Sequence, residues 1–140
     1  MSKLTLEECI SKNGFLTYRI RGVSMQPMLR QGRDLFTVKK KESKRCKKYD
    51  VVLYRRSYDP YVLHRIIEVL PDSYVIRGDN CIVKEYNIKD EDILGVLTSF
   101  QLNGRTISVS DWRYKLYCRV WVFIQPLRIF CKRVKGYLCQ

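Results

Sequence analysis

The sequence predicts a mainly β, antiparallel domain with a short N-terminal helix and a basic amphipathic C-terminal helix. Three observations carry that expectation. Short runs rich in Val, Ile, Leu, Tyr and Phe succeed one another from residue 15 onward. The turn signals "SYDP", "LPDS", "GDN" and "LNGR" separate them at intervals that suit hairpins, not βαβ units. The last thirty residues then change to an apolar period of three to four.

Taken in order, "TLEECISKNG" opens with Thr5 followed three residues later by Glu8, a capping box, and closes on Asn13-Gly14, a stop signal. It predicts a short helix. "FLTYRIRG" alternates Phe15, Thr17 and Arg19 against Leu16, Tyr18 and Ile20, a strand pattern. "SMQPML" is short and interrupted by proline, so one helical turn is expected. "DLFTVKK" reads as the next strand, and "KKKESKRCKK" as an exposed charged loop. Strands follow at "DVVLYRR", "YVLHRIIEVL", "SYVIRG", "DILGVLTSFQL" and "RTISV", the last two joined by an Asn-Gly hairpin. In the tail, Asp111 is the expected N-cap. Trp112, Leu116, Val120, Phe123, Leu127, Phe130 and Val134 form one apolar stripe, and Pro126 should kink or divide the helix. The expected organisation is a β-domain over residues 1–111 and a helical tail over residues 112–140.

Composition narrows the function classes. A hydrophobic content of 46% is that of a globular chain. The 27 Lys and Arg against 14 Asp and Glu leave a net charge of +13, which points to an anionic partner, nucleic acid or membrane surface. Nucleic acid is the weaker of the two, because the tyrosines are scattered, not arranged as a stacking platform. The six cysteines, Cys9, Cys46, Cys81, Cys118, Cys131 and Cys139, form no CxxC pair, and the single histidine leaves no zinc pattern. Nothing calls for a metal or cofactor, and the cysteines are expected to fill core and helix positions as small apolar groups. The first residues contain no apolar signal region, and the run "VWVFI" is too short to span a bilayer. A reduced, cytoplasmic setting, with a peripheral membrane location open to the tail, is the expectation.

Chemistry concentrates in three short segments. Ser24, in "YRIRGVSMQPMLRQG", is either a turn residue or a nucleophile presented at a strand end. A serine nucleophile needs a positioned base, and His64 is the one histidine. His64 shares strand parity with Val62, Ile66 and Glu68, opposite Leu63, Arg65 and Ile67. Such a base works when neutral, so activity should rise with pH through about 6.5, shifted by its surroundings. An acid would orient it, and two carboxylates stand near the "GDN" turn: Asp79 within it and Glu85 six residues on. Each segment alone has a bland reading as a turn or a core histidine.

The ordered set "GVSMQPML", "YDVVLY", "VLHRIIEV", "YVIRGDN" and "DILGVL", spanning about residues 20 to 97, resembles the signal peptidase I family. Histidine where many bacterial members carry lysine makes it similar to the endoplasmic-reticulum and archaeal Ser-His type. The resemblance implies a serine endopeptidase with Ser24 as nucleophile and His64 as general base. Asp79 and Glu85 both remain candidates for the acid, because the family's later acid is an Asp and Glu stands here. It implies an oxyanion site at the Ser24 backbone N–H near Gly22, a peptide bound as an added strand, and small residues before the cleaved bond, as in a leader-bearing precursor. A "GxSMxP" segment also occurs in self-cleaving repressors, which are more distantly similar and use lysine as base. Family members are typically anchored by an apolar transmembrane helix; here the basic amphipathic tail is expected to bury its stripe against the β-domain, a protein partner or an anionic membrane surface. The competing reading is a non-catalytic basic module that binds an anionic membrane or nucleic acid.

Overall fold

The structure, a computed structural model, describes residues 5–56 and 61–138. The turn expected at residues 57–60 and Cys139 lie outside them. Helix α1 (Leu6–Asn13) starts as its sequence dictates: the Glu8 N–H donates to Thr5 Oγ1 (3.1 Å) and the Thr5 N–H donates to Glu8 Oε2 (2.8 Å). Eight strands follow: β1 (Phe15–Arg19), β2 (Leu35–Lys40), β3 (Val51–Tyr54), β4 (Val62–Val69), β5 (Tyr74–Arg77), β6 (Glu85–Ile88), β7 (Ile93–Leu102) and β8 (Arg105–Ser108). They form one antiparallel sheet in the order β1-β2-β7-β3-β4-β5-β6, with β8 paired to β7. The mainly β, antiparallel class is the observed one. Asn103 (φ 50°) and Gly104 (φ 84°) make the hairpin turn between β7 and β8.

The centre of the sheet is covered on both faces. Val51, Leu53 and Leu63 belong to one core with Met25, Met28, Leu29, Val38 and Phe100. Their alternates Val52, Tyr54 and Ile66 belong to a second, with Tyr74, Ile76 and Ile93. This is why "VVLY" and the "YVI" of β5 read as continuous apolar runs, with both strands buried at every position. The helical turn at "SMQPML" closes with the Leu29 N–H donating to the Met25 carbonyl (3.0 Å). It drives Met25, Met28 and Leu29 into the first core, while Pro27 stays exposed. The loop of residues 41–50 contains no strand or helix, in line with its charge.

Two elements differ from expectation. Strand β6, "EYNI", has no apolar alternation to announce it; it exists because β5 offers a ladder, pairing Tyr74 with Ile88 and Ile76 with Glu85. Helix α2 (Trp112–Leu138) runs as one helix with Pro126 inside it, so proline does not divide it. Asp111 caps it, accepting from the Arg113 N–H at 2.9 Å.

The apolar stripe of α2 does not face the domain. Trp112, Phe123, Leu127 and Phe130 are 69%, 84%, 66% and 64% exposed. The docked face carries Tyr114, Tyr117, Cys118, Trp121, Gln125 and Lys132 instead. The reason lies in what the sheet offers at that place: a buried guanidinium, a buried carboxylate and the carbonyls of the Gly78–Asn80 turn. These need hydroxyl, indole, amide and ammonium partners more than methyl groups.

Candidate active site

Ser24 sits on the loop between β1 and β2, in the turn that Met25, Met28 and Leu29 pin into the core. Gly22 enters that turn at φ 76°, a left-handed conformation that costs glycine little, with open space where a Cβ would stand. Asn80 clasps the loop from across the molecule: its backbone N–H donates to the Ser24 carbonyl (2.8 Å) and its side-chain amide to the Val23 carbonyl (3.1 Å). The "GDN" turn thereby holds the serine loop by its backbone. The Ser24 N–H donates to no group among the described residues.

His64 lies on β4, opposite Val52 of β3, and is 4% exposed. Tyr54, two residues along β3 on the same face, brings its hydroxyl to 3.1 Å from His64 Nδ1. That hydroxyl donates to Glu85 Oε2, and Glu85 is ion-paired with Arg56. With its one proton committed to Glu85, the Tyr54 oxygen accepts from His64. Nδ1 therefore carries the proton, and Nε2 keeps its lone pair. Burial pushes the His64 pKa down to about 4, against the raising influence of the Glu85 carboxylate. The shift expected from the surroundings is thus a downward one, toward a neutral imidazole at physiological pH. Burial, with the Glu85 hydrogen bond and charge, raises the Tyr54 pKa and keeps the phenol protonated.

Gly78 is where the segments meet. A Cβ placed on it would lie 2.7 Å from the Ser24 carbonyl oxygen and 2.9 Å from His64 Nε2. The serine loop and the lone-pair nitrogen of His64 thus converge on one point that the missing side chain leaves open. The Cys81 thiol reaches the same point, at 2.7 Å. Among the described residues, His64 Nδ1 pairs with the Tyr54 hydroxyl, and Ser24 Oγ makes no hydrogen bond to His64.

The two candidate acids go to opposite faces of β4. Asp79 accepts from Arg65 Nε (2.8 Å) and Nη2 (2.9 Å), and from the Tyr117 hydroxyl (3.0 Å). Arg65 and Asp79 are 0% and 2% exposed, and the Arg65 guanidinium also reaches the Tyr114 hydroxyl and the Met28 and Cys118 sulfurs. Asp79 makes no hydrogen bond to His64; Glu85 is the acid linked to it, through Tyr54. Strand parity separates them, since Arg65 and His64 are neighbours in sequence and point to opposite sides. Helix α2 seals the Asp79 side: Trp121 Nε1 (3.0 Å) and Gln125 Nε2 (3.2 Å) donate to the Asp79 carbonyl, and Lys132 Nζ to Asn80 Oδ1 (2.7 Å).

Tyr54, Arg65 and Arg56 are the site residues that sequence reasoning missed. Tyr54 had a readable signal, its shared parity with His64 across a predicted hairpin. Arg65 had none, because nothing in "HRII" distinguishes a buried arginine from a solvated one.

Compared with models of known protein families, the chain matches none, and no curated protein matches it.

Proposed function

We propose that this chain is a serine endopeptidase of the signal-peptidase-like, Ser-His type. The observation that carries the reading is the convergence at Gly78, where the Ser24 backbone and the His64 lone-pair nitrogen come together from segments forty residues apart in sequence. The order of the matching segments and the agreement of fold class support it further.

In this reading Ser24 Oγ attacks a peptide carbonyl carbon while His64 Nε2 takes its proton. The carbonyl oxygen becomes an oxyanion and accepts from the Ser24 N–H, where Gly22 leaves room. The tetrahedral intermediate collapses, the C–N bond breaks, and the leaving amine takes the proton from Nε2. Water, giving its proton to the same base, then attacks the acyl-serine; the acyl C–Oγ bond breaks, the new carboxyl terminus leaves and Ser24 Oγ takes the proton back from Nε2. Tyr54 holds the imidazole in the required tautomer, and Glu85 behind it stabilises the imidazolium. Asp79, bound to Arg65, is assigned to holding the turn rather than to the proton relay. By resemblance the substrate is a peptide with small residues before the cleaved bond, carried on a leader-bearing precursor.

A serine-directed phosphonate should label Ser24 in the folded protein and leave Ser24→Ala unlabelled. Turnover of a cleaved precursor peptide should fall by about 10⁴-fold or more in Ser24→Ala. A folded Ser24→Ala protein that cleaves at the wild-type rate overturns the reading. The competing class, a non-catalytic basic module, draws support from the exposed basic face of α2. It predicts that neither Ser24 nor any other serine is labelled.

A further inference from the structure

The outer face of α2 is an exposed apolar ridge that no other described element covers. Trp112, Leu116, Phe123, Leu127, Phe130 and Val134 are between 39% and 84% exposed along one side of the helix. At 1.5 Å per residue the ridge is roughly 30 Å long. A continuous exposed apolar surface of that length marks an interaction site, where scattered single residues would not. It cannot turn inward, because the opposite face is committed to Asp79, Asn80 and Arg65 by Trp121, Gln125, Lys132, Tyr117 and Tyr114.

Charge identifies the occupant. Arg113, Lys115, Arg119, Arg133 and Lys135 are exposed beside the ridge, and no Asp or Glu follows Asp111. The basic zone continues off the helix: Lys48 and Tyr49, from the loop before β3, line a cavity of about 780 Å³ with Arg119, Val120 and Phe123. That cavity opens beside the ridge and is lined by two cations, Lys48 and Arg119, and two aromatic rings, Tyr49 and Phe123, a fit for an anionic headgroup whose acyl chain lies along Phe123. Protein interfaces deplete lysine at their core. A long convex ridge fringed by Lys and Arg, with Trp and Phe along it, is what a helix lying in a bilayer interface presents. No described helix is long and apolar enough to cross a membrane.

We infer that α2 is a membrane-docking helix, which lays its outer face in the plane of an anionic bilayer with Lys48 and Arg119 taking up lipid headgroups. This does not rest on the peptidase reading, and Ser24→Ala should bind as the wild type does. The test is co-sedimentation of the full chain with vesicles of phosphatidylcholine alone and of phosphatidylcholine with phosphatidylserine. The protein should pellet with the second at low salt, not with the first, and should return to the supernatant at high salt. Phe123→Glu combined with Phe130→Glu should weaken binding by about tenfold or more. Lys48→Gln and Arg119→Gln should each weaken it about fivefold, the equivalent of about 1 kcal/mol. All four side chains are exposed, so Tm should not change, and loss of binding will not be loss of fold. A wild-type protein that stays in the supernatant with phosphatidylserine vesicles overturns the inference. So does binding undiminished in the double Glu variant, or a wild-type dimer that this variant dissolves without any vesicle binding.

Discussion

At residue 78 a single added carbon would lie 2.7 Å from the Ser24 carbonyl oxygen, closer than real Cβ contacts come. Gly78→Ala should push the serine loop away from His64 and lower kcat by about 10²-fold, the usual cost of displacing a reacting group by about an ångström. A kinetic assay at matched Tm checks it, and unchanged kcat would deny Gly78 its place at the junction. Tyr54→Phe removes the acceptor of the His64 Nδ1 proton and the link to Glu85 together. Activity should fall by up to about 10⁴-fold, as when a triad acid is neutralised and the tautomer lost. Because His64 is held near pKa 4 by burial, kcat/KM should rise with pH through about 4 and stay level from about pH 5 to 8. A rise centred near 6.5 would mean that the site is more solvated than the packing around Tyr54 shows.

The elements around the site give the two acids different partners, and in the proposed mechanism different roles. Strand β4 sends His64 to the face of Tyr54 and Glu85, and Arg65 to the face of α2. Asp79→Asn would leave the fully buried Arg65 without its carboxylate, at a cost of about 3–5 kcal/mol; urea unfolding should register that loss directly. Glu85→Gln sits in a more open position, its side chain 21% exposed. It should cost little stability while cutting turnover. The inverse result, a stable but inactive Asp79→Asn and a fully active Glu85→Gln, would transfer the orienting role to Asp79. Helix α2 matters here as a brace: it donates to the Asp79 carbonyl and to Asn80 Oδ1, and Asn80 in turn holds the carbonyls of Val23 and Ser24. Its inner face therefore serves the site, and its outer face is free for another surface.

Across the whole molecule, the buried histidine makes stability depend on pH. Its pKa is depressed in the folded chain, from 6.5 to about 4, so between those values the unfolded chain binds the extra proton. Stability is fully present above about pH 6.5 and is lost as pH falls toward 4, by on the order of 3 kcal/mol from this one group. Thermal unfolding of wild type and His64→Gln over that window should differ in slope, with the wild type the steeper. Parallel curves would remove burial of a neutral imidazole as the cause.

How much was legible beforehand follows from the range of the interactions involved. The Thr5 capping box, the Asn103-Gly104 hairpin, the Asp111 cap and most of the strands are set by residues within a few positions of one another, and those the sequence by itself determined. The proposal that pairs Ser24 with His64 could also be framed beforehand, because a serine nucleophile would limit its partners and the chain has one histidine. Strand β6 was not, since its reason to exist is the open edge of β5. Nor was the division between Asp79 and Glu85, which depends on strand register: one step of parity turns Arg65 toward α2 and His64 toward Tyr54. The facing of α2 stayed open among three partners for the same kind of reason. Hydropathy says which side of a helix avoids water, but the helix docks where partners are needed, and here the sheet presents a buried ion pair and turn carbonyls. Only the tertiary structure could decide that the polar aromatic face goes in and the apolar face stays out.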